Sequence, residues 1–81
     1  MEVELLLFAS LRDDVGSSTL KISLPPEATV ATLLEEVGRT LPQLQPKLAH
    51  VRVAIGDEFA ESTAVIPGDR DIALIPPVSG G

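Results

Sequence analysis

Apolar and polar positions alternate along several stretches of this chain and follow a helical spacing in one. Val3, Leu5 and Leu7 alternate with Glu2, Glu4 and Leu6, the period-2 pattern of a strand from Glu2 to about Ala9. Ser10 to Val15 reads as a helical turn with Ser10 at its N-cap, and Gly16-Ser17-Ser18 breaks the chain. Leu20, Ile22 and Leu24 then alternate with Lys21 and Ser23, giving a second strand over Thr19 to Leu24. Pro25-Pro26 ends it.

Thr29 stands where an N-cap belongs, ahead of Val30, Leu33, Leu34 and Val37. Those positions follow i, i+3, i+4, i+7 and predict a helix over Val30 to Thr40, with Glu35 and Glu36 on the wet side and Gly38 and Pro42 bracketing its end. Leu41 to Leu48, with Pro42 and Pro46, reads as irregular chain or a short turn. His50 to Ile55 alternates, with Val51, Val53 and Ile55 on one face, and Gly56-Asp57 is a turn signal. Phe59 and Ala64 to Ile66 fit short extended pieces, and Pro67 to Arg70 a second turn. Asp71 to Ile75 is the last strand, stopped by Pro76-Pro77.

The order β-β-α-β-(β)-β, with one substantial helix, predicts an α+β fold whose helix covers one face of a small mixed sheet. The first and last strands are expected to be neighbours. Parity then divides the sheet. If Val3, Leu5, Leu7, Ile72 and Leu74 face the helix, then Leu6, Phe8, Ala73 and Ile75 face away, with Phe59 a candidate addition. A contiguous exposed apolar area of that kind marks an interface with another chain, with a covering loop or homodimer contact as the bland alternative.

Composition narrows the chemistry. The 81 residues contain twelve Asp or Glu, six Lys or Arg, no Cys, no Trp and no Tyr, for a formal charge of −6. That length suits one domain. Disulfides, thiolate metal sites and cysteine nucleophiles are excluded. The scattered cations Arg12, Lys21, Arg39, Lys47, Arg52 and Arg70 argue against nucleic acid as a partner. The apolar run Leu5 to Leu11 is too short for a membrane span, so a cytoplasmic protein is expected. Asp13-Asp14, Glu35-Glu36, Asp57-Glu58 and the pair Asp69 and Asp71 read as solvated surface and turn residues rather than metal or acid–base sites. His50 has no evident catalytic partner, and no phosphate-binding loop is present.

After Asp71 no charged side chain follows. Pro76-Pro77 is stiff and extended, and Gly80-Gly81 lacks any Cβ, so two peptide units can enter a slot too narrow for other residues. A carboxylate at the end of such a thread can attack the α-phosphate of ATP to give an acyl adenylate.

These residues carry a resemblance. Leu7-Phe8-Ala9-Ser10-Leu11-Arg12 followed by Gly16, then Val53-Ala54-Ile55 with Phe59, then Gly68-Asp69 and the run Ile72 to Gly81 resemble the small-subunit family of molybdopterin synthase. The ending Pro76-Pro77-Val78-Ser79-Gly80-Gly81 is its specific part. Two departures lie in turns: Gly56 stands where the family often has Asn, and the turn at Gly68 to Asp71 is one residue longer.

The resemblance implies a β-grasp, ubiquitin-like domain over residues 1–77 and a flexible diglycine tail over 78–81. It implies a sulfur carrier for molybdenum cofactor biosynthesis. Gly81 would be adenylated by a ubiquitin-activating-like adenylyltransferase, converted to a thiocarboxylate, and used to sulfurate a cyclic pterin precursor in the large synthase subunit. Gly80 would allow threading. Phe8, Arg12, Phe59, Ile75, Pro76, Pro77, Val78 and Ser79 would meet the partners, in a heterotetramer of two small and two large subunits. No cofactor is expected to bind stably, ATP being used by the activating partner, and the catalytic residues are expected on the large subunit. The alternatives are a sulfur carrier for thiamin or another pathway, and a ubiquitin-like module whose Gly81 ends in an amide bond. A stand-alone enzyme is remote.

Overall fold

A computed structural model describes residues 1–76. Its strands are β1 (Glu2–Leu7), β2 (Thr19–Ser23), β3 (Arg52–Ile55), β4 (Glu58–Ala60) and β5 (Ile72–Ile75). Its helices are α1 (Ala9–Val15), α2 (Val30–Thr40) and α3 (Gln45–Leu48), with a 3-10 turn at Pro42–Leu44. One mixed sheet runs in the order β2-β1-β5-β3-β4. The expected contact between first and last strands is present: β1 and β5 are parallel, with Leu5, Leu6 and Leu7 opposite Ile72, Ala73 and Leu74. All other pairs are antiparallel. Among the described residues no helix is long and apolar enough to cross a membrane.

The period-2 pattern explains which way the sheet faces. Val3, Leu5, Leu7, Ile22, Val53, Ile72 and Leu74 are buried on the α2 side, where Val30, Leu33 and Val37 meet them. Thr29 caps α2 as its position predicts, its hydroxyl oxygen accepting from the Thr32 amide at 3.3 Å. Glu36 on the outer side pairs with Arg39 at 2.8 Å. The chain over Ala64 to Ile66 runs extended beside the start of α2. The Val30 amide donates to the Ala64 carbonyl and the Ile66 amide to the Ala28 carbonyl, at 2.9 and 2.8 Å.

Three local expectations need correction. Ser10 does not cap the first helix. β1 stops at Leu7, Phe8 takes the cap position without a side-chain bond, and Ser10 lies inside the first turn. The chain turns early because Ala9 adopts φ of 51°, in the left-handed region, and this delivers Leu11 fully into the core. The third strand starts at Arg52 rather than His50, which is exposed. α2 ends at Thr40, between Gly38 and Pro42 as expected, and Gly38 lies buried within it. A Cβ there would sit 2.5 Å from Nε2 of the exposed Gln45 side chain and 3.0 Å from Leu48 Cδ1, so Gly38 faces α3.

Finally, Leu41 to Leu48 is mostly helical. Its register buries Leu44 completely, and no periodic pattern signals this in so short a segment between two prolines. Leu44→Ala is expected to lower the unfolding free energy by about 2–5 kcal/mol, and exposed Gln43→Ala by no more than about 0.5 kcal/mol. Urea denaturation checks this. A loss below about 1 kcal/mol for Leu44→Ala removes it from the core.

Candidate functional site

The sheet face away from α2 is left open. Register lays its residues out in rows. Thr19, Leu6, Ala73, Ala54 and Phe59 lie opposite one another across all five strands. One step towards the end of β5, Arg52 lies opposite Ile75. Continuing the parallel β1–β5 register brings Phe8 level with Ile75 at the ends of these strands. Ala54 and Ala73 form a floor of small side chains, each 9% exposed. Leu6 and Ile75 are half-buried beside it, while Phe8 at 47% and Phe59 at 57% stand up at the two sides. The result is a shallow apolar trough between two exposed aromatic rings. In a chain with only two Phe, both face solvent here.

The trough is tied to the chain's exit. β5 runs parallel to β1, so Ile75 and half-buried Pro76 leave the sheet beside Phe8. Arg12 is exposed on α1, the helix that begins directly after Phe8. Of the residues singled out in the sequence, Phe8, Phe59 and Ile75 thus share one face, Pro76 adjoins it, and Arg12 lies on the neighbouring helix. Pro77, Val78, Ser79, Gly80 and Gly81 lie outside the described residues.

Two residues of this face were missed. Ala54 and Arg52 have opposite parity to Val51 and Val53, so their side was legible, but neither stands out by type. The Arg52 guanidinium carbon lies 4.4 Å from the centre of the Phe59 ring, a cation–π contact on an exposed surface.

Charge is zoned around the apolar strip. Towards the start of β1, Glu4 stands opposite Lys21. Beyond it the Arg70 guanidinium covers Gly56, where a Cβ would sit 2.5 Å from Arg70 Nη2. Gly56 itself has φ of 65°, and its amide donates to the Asp71 carbonyl at 2.8 Å. The two departures from the family pattern therefore meet: the arginine of the longer turn fills the space that a side chain at position 56 would take. Among the described residues no group of three or more His, Asp and Glu side chains converges as a metal site would need.

The chain matches the model of the ThiS family over residues 5–81. It is 31% identical over 81 residues to the molybdopterin synthase sulfur carrier subunit of Arabidopsis thaliana, covering 100% of this chain and 84% of that protein. It is 33% identical to small archaeal modifier protein 1 of Haloferax volcanii, covering 98% of this chain and 100% of that protein. A crystal structure of that modifier superposes with a TM-score of 0.81 at 30% identity, covering 100% of both chains. A putative molybdopterin converting factor subunit 1 from Pyrococcus furiosus, at 22% identity, shares the fold with a TM-score of 0.84, covering 96% of this chain and 99% of that one.

Because Phe8 and Phe59 are exposed, Phe8→Asp and Phe59→Asp are each expected to change unfolding free energy by less than about 1 kcal/mol in urea denaturation. A loss above about 2 kcal/mol for Phe8→Asp places that ring in the core instead of on the open face.

With the β-grasp arrangement and full-length kinship in hand, the chain belongs to the ThiS family, which here includes relatives named as molybdopterin synthase sulfur carrier subunits.

Proposed function

We propose that this chain is the sulfur-carrying small subunit of a molybdopterin synthase. The Gly81 carboxylate attacks the α-phosphate of ATP on an activating adenylyltransferase, forming an acyl adenylate as pyrophosphate leaves. Sulfide supplied by a sulfur donor attacks the acyl carbon, displacing AMP and, with loss of its proton, leaving the thiocarboxylate. The thiocarboxylate sulfur then attacks a carbon of a cyclic pterin precursor held by the large synthase subunit, displacing an oxygen group, and water cleaves the acyl–sulfur bond, leaving sulfur on the pterin and regenerating the carboxylate. ATP is consumed by the activating partner, the carrier holding no cofactor of its own, and this chemistry belongs in the cytoplasm.

The observation that carries this reading is that the family match runs through residue 81, so Pro76-Pro77-Val78-Ser79-Gly80-Gly81 lies within the matched region. The open face supports it. A carrier needs no constellation of its own for acid–base or metal chemistry, but it does need a rigid body that seats its terminal residues in another protein's site. An apolar trough at the foot of the last strand suits that task. Steric access supports it further, since Gly80 and Gly81 present no side chain to a narrow channel. The activating enzyme and the large subunit compete for this one face, and two carriers per two large subunits complete the synthase.

A second reading has its own support in the likeness to a small archaeal modifier protein: Gly81 ends in an amide bond to a lysine. A carrier for thiamin or another sulfur pathway shares the first steps of the proposed chemistry.

Intact-mass analysis of the chain exposed to ATP, an activating enzyme and a sulfur donor separates the readings. Exchange of one oxygen for sulfur at Gly81 is expected, and removal of Gly81 is expected to abolish it with the melting temperature unchanged. Lysine-linked adducts alone establish the modifier. The thiocarboxylate form mixed with active large subunit and pterin precursor is expected to yield dithiolene product, and absence of product refutes the molybdopterin assignment.

A further inference from the structure

We propose that Arg52 is the specificity-determining cation of the open face, and that the large synthase subunit receiving this chain presents a carboxylate to it beside an apolar ridge that fills the trough. The inference rests on the docking role proposed above.

Four observations converge on Arg52. It stands opposite Ile75, the last residue of β5, so its charge lies where the chain leaves the sheet. Its guanidinium carbon lies 4.4 Å from the centre of the Phe59 ring, and a guanidinium resting on a ring face keeps N–H donors on its edge free to pair. Among the described residues it takes part in no ion pair, although the chain carries twelve carboxylates. Arg12, Lys21 and Arg70 are likewise without an ion pair among the described residues, while Arg39 pairs with Glu36 and Lys47 with Asp14; what sets Arg52 apart is its place between Ile75 and Phe59. Glu4, opposite Lys21, lies at the other end of the open face, and Glu61, one step past the end of β4 and level with Arg52 when the β3–β4 register is continued, forms no ion pair with it. The body of the protein is acidic, and yet the charge standing over its exposed apolar strip is positive.

Docking makes that charge matter. A partner that covers Phe59 and Ile75 also removes water from Arg52, and an unpaired guanidinium in an interface is strongly unfavourable. A carboxylate in the facing surface restores the lost solvation through paired N–H bonds, whose geometry suits Arg better than Lys. A surface that is apolar but lacks this acid is rejected, as is one offering a cation, so Arg52 sorts partners where the Phe side chains only bind them.

The test is a titration of the full chain with the large molybdopterin synthase subunit encoded in the same genome, at low and high ionic strength. Wild type, Arg52→Met, Arg52→Lys and Arg52→Glu are compared after thermal melts confirm that each is folded. Arg52→Met keeps an apolar stem near Phe59 and removes the charge. It is expected to raise Kd about tenfold or more at low ionic strength and to lose most of the salt dependence seen with wild type. Arg52→Lys is expected to fall between them, and Arg52→Glu to bind weakest. Wild-type affinity in Arg52→Met overturns the proposal. So does weakened binding with an unchanged salt dependence, which assigns Arg52 to packing or to a neutral acceptor. Failure of wild type itself to bind refutes the synthase reading and this inference with it, whereas tight wild-type binding indifferent to Arg52 refutes the inference alone.

Discussion

The parallel pairing of β1 with β5 is the contact on which the rest of the molecule depends. It joins the two ends of the described chain at the centre of one sheet, between β2 on one side and β3 on the other. Leu5, Leu7, Ile72 and Leu74 from this pair are buried almost completely and supply the floor on which α2 packs. Because parallel strands end together, the same pairing sets Phe8 beside Ile75 and makes Pro76 leave the sheet at the edge of the open trough. One hydrogen-bonded register thereby organises the core on one face and the exposed apolar strip on the other.

That arrangement divides labour between side chains of very different exposure. The α2 face uses aliphatic residues packed to near-zero exposure, where losing a side chain leaves a cavity. The open face uses two alanines as a floor and two exposed Phe rings as walls, so its apolar area contributes little to folding and remains available for association. Ala9 illustrates how the two faces are reconciled. Its left-handed φ of 51° lets β1 end abruptly, sends Leu11 inward and leaves Phe8 outside.

Much of this was legible in the sequence because period and face are linked. The alternation in β1 and β5 assigned Phe8 and Ile75 to the uncovered side without any knowledge of their neighbours, and Thr29 with the spacing of Val30, Leu33 and Val37 defined α2 from end to end. What escaped notice has physical causes. Leu44 sits in a single turn between prolines, too short for any periodicity to show. Arg52 and Ala54 acquire meaning only from what lies across the sheet from them, Ile75 and Phe59 among them, which is information about register and not about residue type. Likewise, the exchange of a side chain at Gly56 for the guanidinium of Arg70 joins two departures that look unrelated along the chain.

The most direct test of the account is an amide chemical-shift map of the isotopically labelled chain titrated with the large synthase subunit. If the β1–β5 register builds the docking surface, the affected resonances are those of Leu6, Phe8, Arg52, Ala54, Phe59, Ala73 and Ile75, while Ala31, Leu34 and Glu35 on the outer side of α2 stay unchanged. Shifts concentrated on α2 with an undisturbed trough contradict it.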